Sequence, residues 1–246
     1  MQMNWDERSK TYPRYGEKYI MQDKQKIISW CEEKGVKFSG EILSIGAGSG
    51  VLEILIAKKF PVKITAIDSS QKMLENFALD AKTQGVSDKI NIIKSDFDDF
   101  KSDKKFDLAI ACMTPAINDP KAAKKLMNFS KNLGLHVSWA TQKKCDFIDE
   151  IVSTRQKCPS SSCLRTQQMC EFLEQNGIKF EMEIFDGGWV DIMSQEAAFE
   201  YAKSALLREN LEINEEKIKS VIAKFTQNDG VHIEVKAKKG MILFWV

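Results

Sequence analysis

Residues 42–52 read Ile42-Leu43-Ser44-Ile45-Gly46-Ala47-Gly48-Ser49-Gly50-Val51-Leu52. An apolar run suited to a buried strand meets three alternating glycines and passes directly into a second apolar run of helical character. Glycine lets the backbone turn tightly, and it lets a ligand lie against the main chain with no Cβ in the way. In doubly wound α/β sheets the end of such a strand opens onto the ligand crevice. The dinucleotide fingerprint G-x-G-x-x-G needs its third glycine where Val51 stands, so the G-x-G-x-G spacing argues against a nicotinamide oxidoreductase.

The rest of the chain extends this strand–turn–helix unit. Short apolar runs at Glu41–Ile45, Val62–Ile67, Ile90–Ile93, Phe106–Ala111 and Leu133–Trp139 read as strands. Helices fit between them at Val51–Lys59, Gln71–Thr83 and Pro120–Asn132, so a mostly parallel sheet with helices on both faces is expected. A helix over Tyr19–Lys34 precedes this core. Helices near Cys145–Thr154 and Leu164–Asn176 and a strand at Lys179–Phe185 follow it. Further helices are expected at Gln195–Leu207 and Glu215–Phe225, where Ile218, Val221, Ile222 and Phe225 form a stripe that belongs in a core. Two final strands, Val231–Ala237 and Met241–Val246, are expected to rejoin the sheet.

Two acids follow strands on the crevice side. Asp68 ends the second strand, where a carboxylate can accept hydrogen bonds from both ribose hydroxyls of an adenosine; beside Ser69 and Ser70 it also suits a helix N-terminus. Asp96 follows the third strand, where it can accept from an adenine amino group while Phe97 offers an apolar surface; a solvated loop is the plainer reading.

Four motifs, SIGAGSG (44–50), AIDSSQKML (66–74), KSDFDDF (94–100) and FDLAIACMTPAI (106–117), resemble the class I S-adenosylmethionine-dependent methyltransferase family over about residues 40–140. The resemblance implies a Rossmann-like, doubly wound, seven-stranded sheet with an inserted helical cap, and S-adenosylmethionine as cofactor. It implies one domain: residues 1–40 a lid and helix, 41–140 the cofactor-binding core, 141–192 and 229–246 the remainder, and 193–228 a helical insertion. Carried over by position, Gly46, Ala47, Gly48 and Gly50 lie against the cofactor's methionyl and ribose parts, and Asp68 holds the ribose. Ser69 and Met73 border the adenine, Asp96 and Phe97 contact it, and Cys112 lies beside the methionine. The family usually has an acid two residues before the first glycine; here that residue is Ser44, so the cofactor's ammonium must be held differently or more weakly.

The opening Trp5–Tyr15 stretch looks like the Trp-x-x-Arg start of small-molecule methyltransferases, which folds over the cofactor. It is expected to form a lid with Tyr12 and Tyr15 near the reacting centre, or else an arm packed on the first helix. Met113, Thr114 and Trp139 complete the candidate substrate pocket. The Asn/Asp-Pro-Pro-aromatic motif of some nitrogen-methylating enzymes is absent, with only Pro115 in common.

Bulk properties narrow the acceptor. With 36 basic and 35 acidic residues among 246, the net charge of +1 offers no global field for nucleic acid or an anionic membrane. No apolar leader or membrane-length run is seen, which suggests a cytoplasmic protein. The cysteines Cys145, Cys158, Cys163 and Cys170 lack CxxC or histidine spacing, so free thiols and no metal site are expected. His136 and His232 fall in strands, which suits structural roles and leaves no catalytic residue named. The reading is methyl transfer to a small molecule, with an RNA methyltransferase or a non-catalytic cofactor-binding scaffold as alternatives and a homodimer as a candidate assembly.

Overall fold

The computed structural model describes residues 4–152, 165–208 and 211–246. In chain order its elements are α1 (Trp5–Arg8), α2 (Lys18–Glu33), β1 (Gly40–Ile45), α3 (Val51–Lys59), β2 (Val62–Asp68), α4 (Gln71–Thr83), β3 (Ile90–Lys94), β4 (Phe106–Cys112), α5 (Pro120–Phe129), β5 (Ser130–Trp139) and α6 (Asp146–Ile151). They continue as α7 (Arg165–Gln175), β6 (Phe180–Asp186), β7 (Trp189–Met193), α8 (Gln195–Arg208), α9 (Glu215–Phe225), β8 (Thr226–Gln227), β9 (Gly230–Val235) and β10 (Lys238–Trp245).

A seven-stranded sheet runs in the order β3-β2-β1-β4-β5-β10-β6. The five strands from β3 to β5 are parallel. The Trp245 and Val246 N–H groups donate to the carbonyls of Lys179 and Asn132, beside the starts of β6 and β5, so β10 runs antiparallel to both. The strand order reverses between β1 and β4, the switch point at which open α/β sheets form a crevice. Its depth comes from strands buried on both faces: Ile42, Leu43, Ile45, Ile64, Ile67, Ala109 and Ile110 are all nearly or wholly inaccessible.

Local chemistry sets the helix starts. Ser70 caps α4 by accepting from the Met73 N–H, and Asp119 caps α5 by accepting from Ala122, with Pro120 just inside. Gly50 holds the N-cap of α3 at φ +73°, and a Cβ there would lie 1.9 Å from the Phe77 ring of α4. The third glycine of the turn therefore lets α3 and α4 close-pack.

The chain divides into two compact units. The larger, in described residues, is 4–139, 165–184 and 240–246; the smaller is 140–152, 185–208 and 211–239. In the smaller unit β7, β9 and β8 form an antiparallel sheet, and Phe147, Ala198, Ala202, Leu206, Ile218, Val221, Ile222, Val231 and Ile233 make its core. The helices expected at 195–207 and 215–225 belong to this core. The strand expected at Val231–Ala237 does not rejoin the main sheet but pairs as β9 with β7 and β8. Its alternating burial suits a half-covered sheet, whereas β10 is buried along nearly its whole length and takes the interior position.

No helix among the described residues is long and apolar enough to cross a membrane.

Candidate active site

A cavity of about 410 Å³ lies at the C-terminal ends of β1 to β4, within the size range of small-ligand sites. Gly46 and Gly48 hold left-handed conformations at φ +64° and +57°. A Cβ on Gly46 would fall 2.0 Å from Thr114 Oγ1, so only glycine fits there. The Ala47 N–H donates to the Ile67 carbonyl and the Gly50 N–H to the Ala47 carbonyl, which fixes the turn.

Asp68 stands at the centre of this arrangement. Its Oδ2 accepts from the Gly48 N–H and its Oδ1 from the Ser70 N–H, both at 2.8 Å. Each oxygen keeps a lone pair for a vicinal diol. Burial raises the Asp68 pKa above the usual carboxylate value, backbone N–H groups oppose the shift, and Asp96 adds to it. Ser69, Met73, Asp96 and Phe97 line the same cavity, together with Ser95 and Asp98. Lys125 lies over the Phe97 ring and donates to the Phe97 and Asp98 carbonyls, fixing this loop.

Met113 and Thr114 form the facing wall with Pro115, Ala116 and Asn118. Met113 has φ +56°, and among the described residues no other non-glycine has a positive φ. Such strain collects where a fold shapes a ligand site. The Met113 N–H donates to the Val137 carbonyl and holds the bend.

The N-terminal segment closes another side. Asp6 accepts from Ser70 Oγ at 2.6 Å, Asn76 donates to the Ser9 carbonyl, Ser49 Oγ donates to the Pro13 carbonyl, and Arg14 makes a two-pronged contact with Asp80. The segment thus packs on α4 and the glycine turn. It brings Trp5 and Tyr12 into the cavity wall, edge to face at 6.3 Å. Burial raises the Tyr12 pKa, so its hydroxyl stays protonated at neutral pH. Tyr15 lies instead beneath the Lys58 ammonium and lines neither cavity.

A small second cavity, about 30 Å³, shares Tyr12 and Gly46 with the first. Ala47 and Cys112 line it, with Lys24, Ser44 and Glu53. Ser44 Oγ donates to Glu53 Oε1 at 2.5 Å, and Glu53 is 3% exposed. Burial raises the Glu53 pKa, and the Ser44 bond opposes the rise. Lys24 Nζ donates to Cys112 Sγ at 3.2 Å and lies 3.7 Å from Asp23. Burial works against the Lys24 charge, while Cys112, Asp23 and Tyr12 outweigh it and leave the pKa above the ordinary lysine value. An acid therefore does stand beside position 44, supplied by the first turn of α3.

Gly50 and Trp139 line neither cavity. His136 is buried in β5, its pKa pressed down to about 4 by burial and by Arg165, and it too lines neither. Cys158 and Cys163 lie outside the described residues, and among those described no cluster of acids, histidines and cysteines could hold a metal. Sequence reasoning missed Glu53, Lys24 and Arg165. Glu53 is the one acid in an apolar helix run, and Lys24 shares the stripe of Ile20, Ile27 and Ile28, so both carried a signal. Arg165 carried none.

The lining residues fit S-adenosylmethionine: a glycine turn with no room for a side chain at Gly46, a carboxylate with free lone pairs at Asp68, and Glu53 and Lys24 in the adjoining cavity. Residues 42–134 match a family model described as a methyltransferase domain. A malonyl-[acyl-carrier protein] O-methyltransferase of Priestia megaterium is 38% identical over 74 residues, 30% of this chain and 26% of the relative. The match thus spans about a quarter of that curated relative's length. A Bacillus halodurans protein assigned to the methyltransferases superposes with TM-score 0.57 at 16% identity, covering 91% of this chain and 98% of that one. A Geobacter sulfurreducens S-adenosylmethionine-dependent methyltransferase, solved with S-adenosyl-L-homocysteine, superposes with TM-score 0.51 at 17% identity over 89% and 90% of the two chains. The matched sequence, the strand order and the glycine turn agree: residues 42–134 match the methyltransferase-domain family, on the fold shared by solved S-adenosylmethionine-dependent methyltransferases.

Proposed function

We propose that this protein transfers a methyl group from S-adenosylmethionine to a small-molecule acceptor. The observation that carries the reading is Asp68, held by two backbone N–H groups in the wall of a cavity where Gly46 leaves no room for a side chain. In the proposed arrangement Asp68 accepts from the ribose hydroxyls, and Ser69, Met73, Asp96 and Phe97 enclose the adenine. Gly46, Ala47 and Gly48 lie along the main-chain face of the ligand. Glu53 takes the ammonium in place of the acid missing at 44, and Lys24 takes the carboxylate.

The cofactor supplies an activated methyl: the acceptor's lone pair forms a bond to it as the carbon–sulfur bond breaks, leaving a neutral thioether. The chain's own part is alignment and exclusion of water. Trp5, Tyr12, Met113 and Thr114 wall the space in which an acceptor would sit. Tyr12 lines both cavities, and its hydroxyl, kept protonated by burial, would serve there as a hydrogen-bond donor and not as a base. A wall closed by the N-terminal segment and a net charge of +1 favour a small acceptor over RNA.

Calorimetric titration with S-adenosylmethionine and S-adenosylhomocysteine, repeated on Asp68→Ala, tests the cofactor site. Transfer of tritium from labelled cofactor to nuclease-resistant metabolites of a cell extract tests the acceptor class. Label confined to nuclease-sensitive material would move the protein to RNA.

A further inference from the structure

The large cavity has a polarity that cofactor binding alone does not use. Three carboxylates, Asp68, Asp96 and Asp98, line its β2 and β3 side, and among the described lining residues the one cation is Arg165 at the start of α7. Arg165 is half-buried, and its Nη1 donates to the Thr114 carbonyl at 3.1 Å, which sets the guanidinium against the wall carrying the strained Met113. Among the described residues no carboxylate pairs with it, whereas Lys24 has Asp23 and Arg14 has Asp80. His136 lies close enough for Arg165 to disfavour its protonation, and as an imidazole it supplies no negative charge. Burial lowers the Arg165 pKa with no opposing partner, yet a guanidinium remains charged at neutral pH. A partly desolvated cation without a counter-ion is unfavourable until an anion completes it.

We propose that Arg165 is the acceptor-anchoring residue and that the acceptor is an anionic small molecule whose oxyanion pairs with it. This rests on the cofactor reading above. The cofactor's own amino-acid end is provided for in the second cavity by Glu53 and Lys24, which leaves Arg165 over. The guanidinium's planar fork matches a carboxylate, and it also accepts a phosphate. The positive charge of the cofactor's sulfonium strengthens the hold on such an acceptor. Product release is eased because the thioether product no longer carries that charge.

The test titrates wild-type protein, with and without saturating S-adenosylhomocysteine, with succinate, with the neutral succinamide and with inorganic phosphate, and repeats the series on Arg165→Met and Arg165→Lys. Succinate should bind and succinamide should not. Arg165→Met should weaken succinate by about tenfold or more while S-adenosylhomocysteine affinity stays within about twofold, and Arg165→Lys should fall between. Phosphate binding in place of succinate, with the same dependence on Arg165, keeps the proposal and changes the oxyanion. An equal loss of S-adenosylhomocysteine affinity in Arg165→Met would give this residue to the cofactor and overturn it, as would no anion binding to the wild type. If S-adenosylhomocysteine itself fails to bind, the cofactor reading falls alone, and the difference between wild type and Arg165→Met in the nucleotide-free titrations still decides the anion site.

Discussion

Asp68 and Glu53 carry the strongest single-residue predictions. Replacing Asp68 by alanine removes the two carboxylate oxygens proposed to hold the ribose, so S-adenosylhomocysteine affinity should fall at least about a hundredfold by calorimetry. Glu53→Gln keeps the Ser44 hydrogen bond but loses the charge, and affinity should fall about tenfold. The same change bears on stability. Burial raises the Glu53 pKa in the folded state, so stability declines as pH rises from the usual carboxylate value through the raised one. Glu53→Gln should therefore melt higher than wild type at pH 8 while binding the nucleotide less well; a lower melting temperature would refute this. His136 has the opposite slope. It titrates near 6.5 when unfolded and at about 4 when folded, so stability falls by ~3 kcal/mol as pH drops through that window. His136→Leu should flatten the loss, measured by urea melts at pH 4.5 and 7. Asp68 and the glycines were legible from sequence because both sit at fixed offsets from strand ends. Glu53 was not assigned, because its role depends on a bond to Ser44 that only the fold brings into reach.

At the level of elements, the three glycines of the turn divide into two kinds. Gly46 and Gly48 face the cavity, while Gly50 faces Phe77. Gly50→Ala must distort α3 against α4 and should cost more than about 2 kcal/mol in chemical denaturation, a loss of packing that no ligand concentration repairs. The N-terminal segment hydrogen-bonds to α4 and puts Trp5 and Tyr12 in the cavity wall, while Tyr15 lies elsewhere. Helix ends at 71–83 and 215–225 matched expectation because caps and apolar periodicity both mark them, and the end at 51 because the glycine turn marks it. β7 was missed because its residues, Trp189-Val190-Asp191-Ile192-Met193, alternate only weakly in burial and leave Val190 and Ile192 exposed.

For the whole molecule, every residue that lines either cavity belongs to the larger unit. The smaller unit has a core of its own around Phe147 and Ile218. Phe147→Ala should therefore cost roughly 3–5 kcal/mol of stability in that unit. S-adenosylhomocysteine affinity at 20 °C should remain near wild type, and a tenfold loss would tie cofactor binding to the smaller core. The parallel half of the sheet was legible because each strand has an apolar centre and a helix fills the β1–β2, β2–β3 and β4–β5 crossovers. The destination of the late strands was not, although β9 alternates apolar with polar residues where β10 ends in a continuous apolar run.

That pairing has a consequence for synthesis. β10 occupies the slot between β5 and β6, yet it follows every other strand of the sheet in chain order. A ribosome releasing this chain can assemble β3-β2-β1-β4-β5 early, but β5 then waits with an open hydrogen-bonding edge for more than a hundred residues of elongation. Nascent chains stalled within that interval should bind strand-capping chaperones and aggregate when released, and those extended past Trp245 should not.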